Sequence, residues 1–299
     1  MRLSPSRREA VEGFLYISPW ILGFLIFGLG PLGASLYLSL THYNVLKPPE
    51  FVGLDNYVYA FTHDRLFYVA LERTTYYAVA AVTLGVVGSL LLAVLLNQRL
   101  KGTVAFRTML FLPSLTPIVA SALLWGWIFH PQLGLMNSGL RLIGVQGPGW
   151  LTTTEWALPS LVILALWGGL GGGRMIIFLA GLQGVPNELY EAASMDGASG
   201  WDRFRHVTLP MITPTIFFNL VLGIIGSFSV FAVAFVATSG GPVRATYFYV
   251  YHIFITAFQN SEMGYASALA WIFFAILLVF TAIQFRLQRY WVYYESESK

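Results

Sequence analysis

Residues 184–210 read GVPNELYEAASMDGASGWDRFRHVTLP, a polar island between long apolar runs. Four of the chain's 14 acidic residues, Glu188, Glu191, Asp196 and Asp202, fall inside it. Pro186 suits the first turn of a helix, where its missing N–H costs nothing, and Glu188 in that turn complements the positive end of the helix dipole. Leu189, Ala192, Ala193 and Met195 can form a shallow apolar face. Gly197 suits the left-handed position just past a helix end. Ser199 followed by Asp202 has the spacing of a capping box that opens a second helix, and Pro210 marks its limit. The stretch predicts a short helix, a glycine turn and another helix. Small alanines would let another surface come close, and Glu191 offers a carboxylate to a basic partner. On residue chemistry alone the same pattern also serves a capped loop joining two helices.

What flanks the island sets the fold class. The chain has 299 residues, 57% of them hydrophobic, 16% aromatic and 10% charged, with a mean hydropathy of +0.67. A soluble domain is about 45–50% apolar and about 25% charged, so this composition excludes a soluble globular enzyme and a disordered chain. A net charge of +3 is too small and too dilute for a nucleic-acid binder. With no cysteine there is no disulfide framework and no thiolate site. The class that remains is an all-α, polytopic membrane protein.

A bilayer-spanning helix needs about 20 mostly apolar residues. Gaps between charged residues predict six transmembrane helices, at about 14–40, 76–96, 109–129, 157–182, 213–238 and 266–285. The aromatic-rich, half-polar stretch 245–261 reads as interfacial or buried rather than as a seventh span. The first apolar run, preceded by Arg2, Arg7 and Arg8, is too long for a signal-peptide core and lacks a clear small-x-small site, so it reads as an uncleaved span. Arg2, Arg7, Arg8, Arg99, Lys101, Arg107, Arg203, Arg205, Arg286, Arg289 and Lys299 fall on one side, and Lys47, Arg65, Arg73, Arg141 and Arg244 on the other. The positive-inside rule then makes both termini cytoplasmic. The organisation predicted is a cytoplasmic segment 1–13, a transmembrane domain 14–286 carrying the island on its cytoplasmic side, and a cytoplasmic tail 287–299.

The island closely resembles the EAA loop of permease subunits of binding-protein-dependent ABC importers, whose pattern matches Glu191, Ala192, Ala193, Gly197, Ala198, Phe204, Leu209 and Pro210. Asp196 and Tyr190 also look like the sugar-permease branch. The likeness continues in FVGLDNY at 51–57, FLPSLTP at 111–117, Trp125, Trp127, Gly134 and Asn137, TSGGP at 238–242 and MGYASA at 263–268, as in maltose-type permeases. It implies a type I ABC importer permease fold in the cytoplasmic (inner) membrane of a prokaryote. It implies, as partners, a second homologous permease, two copies of an ABC ATPase and an extracytoplasmic sugar-binding protein, besides the surrounding lipid. Glu191, Ala192, Ala193, Asp196, Gly197 and Ala198 would then be the residues that couple to the ATPase. No Gly-Lys-Ser/Thr occurs here, since Lys47, Lys101 and Lys299 follow Leu, Leu and Ser. ATP and Mg are therefore expected in the partner ATPase, with no cofactor or metal bound by this chain and no catalysis of its own.

Polar groups inside spans are functional candidates. Arg174, in GGLGGGR, is either a side chain reaching for headgroups or carbonyls, or part of a solute path. The glycines before it allow close packing or an unwound helix, packing being the commoner outcome. Asn219, Gly223 and Ser227 recur at helical spacing, with Phe228, Ser229 and Phe231 following. A sugar needs hydroxyl-scale partners and rings against its CH faces, and the resemblance places the helices around the EAA loop at the sugar cavity. Trp167 and 227–231 join the candidate path on that ground. A polyol or glycerol phosphate importer of the same architecture is the nearest alternative. A membrane-embedded enzyme or an ion-coupled carrier would want intramembrane carboxylates, and none lies inside the predicted spans. His42, His63, His130, His206 and His252 show no metal-site spacing.

Overall fold

The computed structural model describes residues 5–98 and 101–293. Arg2, Arg99 and Lys299 of the orientation count lie outside the described residues, as do 1–4 and 294–299 of the two terminal segments. The only strands among the described residues are two-residue ones, Thr41–His42 paired antiparallel with Glu50–Phe51. The helices, in chain order, are α1 (Glu12–Ser39), α2 (Asp55–Thr62), α3 (Arg65–Asn97), α4 (Thr103–Leu115), α5 (Ile118–Ile128), α6 (Leu135–Leu142), α7 (Thr154–Gly169), α8 (Gly173–Gln183), α9 (Asn187–Met195), α10 (Gly200–Met211), α11 (Thr213–Phe228), α12 (Ala232–Ala237), α13 (Tyr249–Phe254) and α14 (Met263–Gln288).

Among the described residues, only α1, α3 and α14 are single helices long and apolar enough to cross a membrane. Six crossings result when each of three bent pairs counts as one: α4 with α5 at 97°, α7 with α8 at 51°, and α10 with α11 at 62°. The spans expected at 109–129, 157–182 and 213–238 are each interrupted within their length. Pro113 and Pro117 break the first, leaving Thr116 extended at φ −74°, ψ 127°, as a residue before proline prefers. The second breaks at Gly172, which is extended at φ −80°, ψ −151°. The third expected span ends as a helix at Phe228 and resumes only at Ala232.

The glycine-rich break both unwinds and packs. The Leu110 carbonyl occupies the space where a Gly171 Cβ would stand, and Ser114 Cβ lies 3.0 Å from the corresponding point on Gly172. Gly168, Gly169 and Gly173 have open space there. α3, at 33 residues, is about 50 Å long at 1.5 Å per residue and so outreaches a hydrocarbon layer of about 30 Å.

The contacts divide the chain into two compact units, 1–64 with 253–274, and 65–252 with 275–299. In the first, the FVGLDNY and MGYASA stretches have clear physical work. Asn56 Nδ2 donates to the carbonyls of Ser39 and Thr41, both at 2.9 Å, and Tyr57 bonds Ser39 at 2.7 Å. Gly264 sits where a Cβ would collide with the Thr41 carbonyl, and the Tyr265 hydroxyl donates to Asp64 at 2.6 Å.

In the second unit, Val82, Val86, Leu96, Met175, Phe178, Leu182 and Ile212 form the centre of a buried cluster. Residues 245–252 also belong here, and for them the buried one of the two readings of 245–261 holds. Ala245 to Tyr249, Tyr251 and His252 are all buried. Their rings meet other parts of the unit, Tyr249 against Phe67 at 5.7 Å and Phe248 against Tyr77 at 5.1 Å. Their polar groups are satisfied within the protein: the Tyr249 N–H donates to Thr74 Oγ1 at 2.8 Å, and Tyr247 bonds His252 at 3.0 Å. Composition alone reads such a stretch as amphipathic because it cannot show that the polar tips have protein partners.

Candidate functional site

The 184–210 island folds as predicted in kind. Pro186, extended at φ −58°, ψ 134°, immediately precedes α9. Past Met195 the chain closes a Schellman motif. The Gly197 N–H donates to the Ser194 carbonyl at 3.1 Å and the Ala198 N–H to the Ala193 carbonyl at 2.9 Å. That pair of bonds needs a left-handed residue between helix and exit, and Gly197 supplies it at φ +77°.

Two residues on, Ser199 and Asp202 form the capping box. The Asp202 N–H donates to Ser199 Oγ at 3.3 Å and the Ser199 N–H to Asp202 Oδ2 at 3.1 Å. The Ser199 hydroxyl also donates to Asp202 Oδ2, and this bond, then the backbone one, holds the Asp202 carboxyl below the usual carboxylate range, with His206 adding to the effect. α10 widens into a π turn at Phe204–Thr208, since Pro210 has no N–H to return to His206.

The island has a buried root and an exposed tip. Tyr190, Val207 and Met211 pack on the Val82–Ile212 cluster, and Tyr190 bonds Thr208 at 3.0 Å. At the tip, Met195 is 89% and Trp201 67% exposed. Glu191, Ala192, Asp196 and Gly197 are exposed, with Ala193 and Ala198 half-buried. Among the described residues nothing hydrogen-bonds or ion-pairs with Glu191. The island therefore presents an unpaired carboxylate and bare apolar side chains on a rigid turn.

A cavity of about 320 Å³ opens elsewhere in the same unit. It takes Tyr77 and Gly85 from α3, Ile118 from α5, Arg174 from α8, Ser227 from the end of α11, and Ser229 and Phe231 from the gap between α11 and α12. Arg174 is the one charged group lining it. Its guanidinium rests on two glycines. Nη1 lies where a Gly85 Cβ would stand, and Nη2 lies 3.3 Å from the corresponding point on Gly223. No hydrogen bond or ion pair among the described residues engages it.

The cavity brings together Arg174, Ser227, Ser229 and Phe231 of the predicted path, and Gly223 supports the guanidinium from behind. The others lie apart. Trp167 meets Trp125 at 5.8 Å, in an aromatic series that continues through Phe129 and Trp150. Asn219 is buried and donates to the Thr215 carbonyl of its own helix at 2.9 Å. Phe228 packs on Phe280 at 5.4 Å. Sequence reading missed Tyr77 and Gly85. Gly85 and Gly88, one turn apart on α3, were the available signal, for Gly88 likewise leaves room only for Leu170.

In the other unit a hollow of about 770 Å³ collects His42, Asn44, Asp55, His63, Glu262 and Tyr265, so two of the scattered histidines share one wall. Among the described residues no group of three His, Asp or Glu is placed to hold a metal ion.

Residues 74–292 match the family model described as the binding-protein-dependent transport system inner membrane component. The chain belongs to this family. It is similar, at 41% identity over 98% of its length and 95% of the relative's, to the probable ABC transporter permease protein YesP of Bacillus subtilis. It is 34% identical, over 95% of both chains, to the trehalose/maltose transport system permease protein MalF of Thermococcus litoralis. A solved bacterial ABC transporter involved in import of the acidic polysaccharide alginate superposes with a TM-score of 0.83 at 26% identity, over 96% of this chain and 99% of that one. The fold is that of a type I ABC importer permease, and the protein is a multi-pass component of the inner membrane.

Proposed function

We propose that this permease moves a saccharide across the inner membrane by alternating access, driven by ATP hydrolysis in a separate chain. Its relatives carry saccharides of several kinds, trehalose and maltose in one case and alginate in another. The single observation that carries the coupling role is the island's construction. A rigid Schellman turn and capping box expose Glu191, Met195 and Trp201, while Tyr190 and Val207 root the same segment in the cluster beneath α3, α8 and α11. A push on the tip is thereby delivered to the helices that hold the cavity.

The island faces the cytoplasm, with both termini on that side, and docks on one of two ATPase subunits, which bind ATP and Mg. A second, homologous permease completes the pathway, and an extracytoplasmic binding protein delivers the solute. Glu191 meets a basic group of the ATPase; Ala192 and Ala193 admit close approach; Asp196, Gly197 and Ala198 shape the turn. The chain itself catalyses no reaction. The test is solute-stimulated ATP hydrolysis by the complete complex in proteoliposomes. A Glu191→Ala, Gly197→Pro double variant is expected to assemble but to lose stimulation and uptake, and unchanged rates for both would count decisively against this coupling role.

A further inference from the structure

We propose that the 320 Å³ cavity binds the carboxylate of an acidic saccharide, with Arg174 as its counter-ion. This rests on the transport reading above and narrows it to a substrate class. A charge inside a membrane protein is costly and persists where it faces a cavity and meets a partner. Arg174 lines a cavity and has no partner among the described residues. Nor does the cavity wall supply one, since it contains no Asp or Glu.

The seat is built for a guanidinium. Gly85 and Gly223 approach it from two helices, and any side chain at Gly85 would take the place of Nη1. A fixed, planar guanidinium matches a carboxylate in a two-bond fork. One cation balances the single charge of a uronate, whereas a phosphate monoester near neutral pH carries close to two and would want a second cation that the wall lacks. Around the charge stand groups suited to the rest of a sugar ring. The Ser227 hydroxyl has no partner among the described residues, Tyr77 offers a hydroxyl, and Phe231, stacked on Phe235 at 5.4 Å, adds aromatic surface to the wall.

The test uses the whole importer in proteoliposomes, this chain with its partner permease, ATPase and binding protein. The probes are short oligouronides of mannuronate, guluronate and galacturonate, the same chains with methyl-esterified carboxyls, maltopentaose, and glycerol 3-phosphate. Expected is ATP-dependent uptake of a free-acid oligouronide, falling about tenfold to a hundredfold in Arg174→Gln, the usual worth of a charged hydrogen-bonded contact. Arg174→Lys, which keeps the charge but loses the two-bond fork, should fall between wild type and Arg174→Gln and so separates loss of recognition from loss of folding. Residual transport of the esterified chains should not respond to either variant.

Equal oligouronide uptake by wild type and Arg174→Gln would overturn the proposal. So would transport of maltopentaose alone, unaffected by Arg174→Gln, which would leave the saccharide importer intact. Arg174-dependent uptake of glycerol 3-phosphate in preference to the uronides would replace carboxylate with phosphate. ATP-dependent uptake of no saccharide at all would remove the transport reading itself, and this proposal with it.

Discussion

The island at 184–210 and the Arg174 cavity belong to one compact unit but are built on different scales. Within the island the bonds that fix the shape are local. Ser199 and Asp202 are three positions apart, and Arg203 reaches Ser194 nine positions back. The cavity instead needs Tyr77, Ile118, Arg174 and Ser227, each from a different crossing or its break. The island also exposes its unpaired carboxylate to solvent, whereas the cavity shelters its unpaired cation between helices. One is a handle whose shape survives movement; the other is a shape that exists only while several helices stand in one arrangement. On the proposed coupling, moving the first opens or closes the second.

The largest expected effect breaks the link between them. Glu191→Ala with Gly197→Pro removes the carboxylate and the N–H that Gly197 gives Ser194, at a φ of +77° that proline cannot adopt. Solute-stimulated ATPase in the reconstituted complex should fall by about tenfold or more, the scale of one lost charged contact. The next effect leaves the handle intact and spoils the cavity. Gly85→Leu fills the seat of Nη1, so uptake should drop severalfold while the ATPase still co-purifies in full amount. Loss of that association would show that the two regions are not separable in this way.

A smaller effect is confined to the island. Ser199→Ala removes the cap of α10 and should cost about 1 kcal/mol of local stability. Faster hydrogen exchange at the amides of Asp202 and Arg203, with no change around Met175, would report it. The smallest is a pH effect. Asp202 has its carboxyl held low by Ser199, so the box is strengthened at any pH above the ordinary carboxylate range and loses that support as pH falls through the lowered value. Amide protection at residue 199 should weaken in acid in the wild type and do so less steeply in Ser199→Ala, where only the backbone bond to Asp202 remains.

The same contrast explains what was legible in the sequence. Gly197, Ser199 and Asp202 act on neighbours, so spacing alone predicts the turn and the cap, and charge spacing predicts six crossings. What spacing could not show was where crossings break. Pro113, Pro117 and the 168–173 glycines were visible, but the 97° and 51° bends, and the packing of Leu110 and Ser114 of α4 against Gly171 and Gly172, were not. The burial of 245–252 was not legible for a related reason, because its backbone and rings find partners as distant in sequence as Thr74 and Phe67. Arg174 was singled out as an intramembrane charge; its glycine seat came only from the juxtaposition of α3, α8 and α11.

The central claim, that the island drives the cavity, has a direct measurement. The chain has no cysteine, so Ile118→Cys and Ala232→Cys place two spin labels on two elements of the cavity wall without interference from native thiols. In the full complex, pulsed electron–electron resonance should show the label distance changing when the ATPase is trapped with ATP and vanadate. The account predicts that change in the otherwise native island and its loss in the Glu191→Ala, Gly197→Pro background. The same distance change in both backgrounds would contradict it.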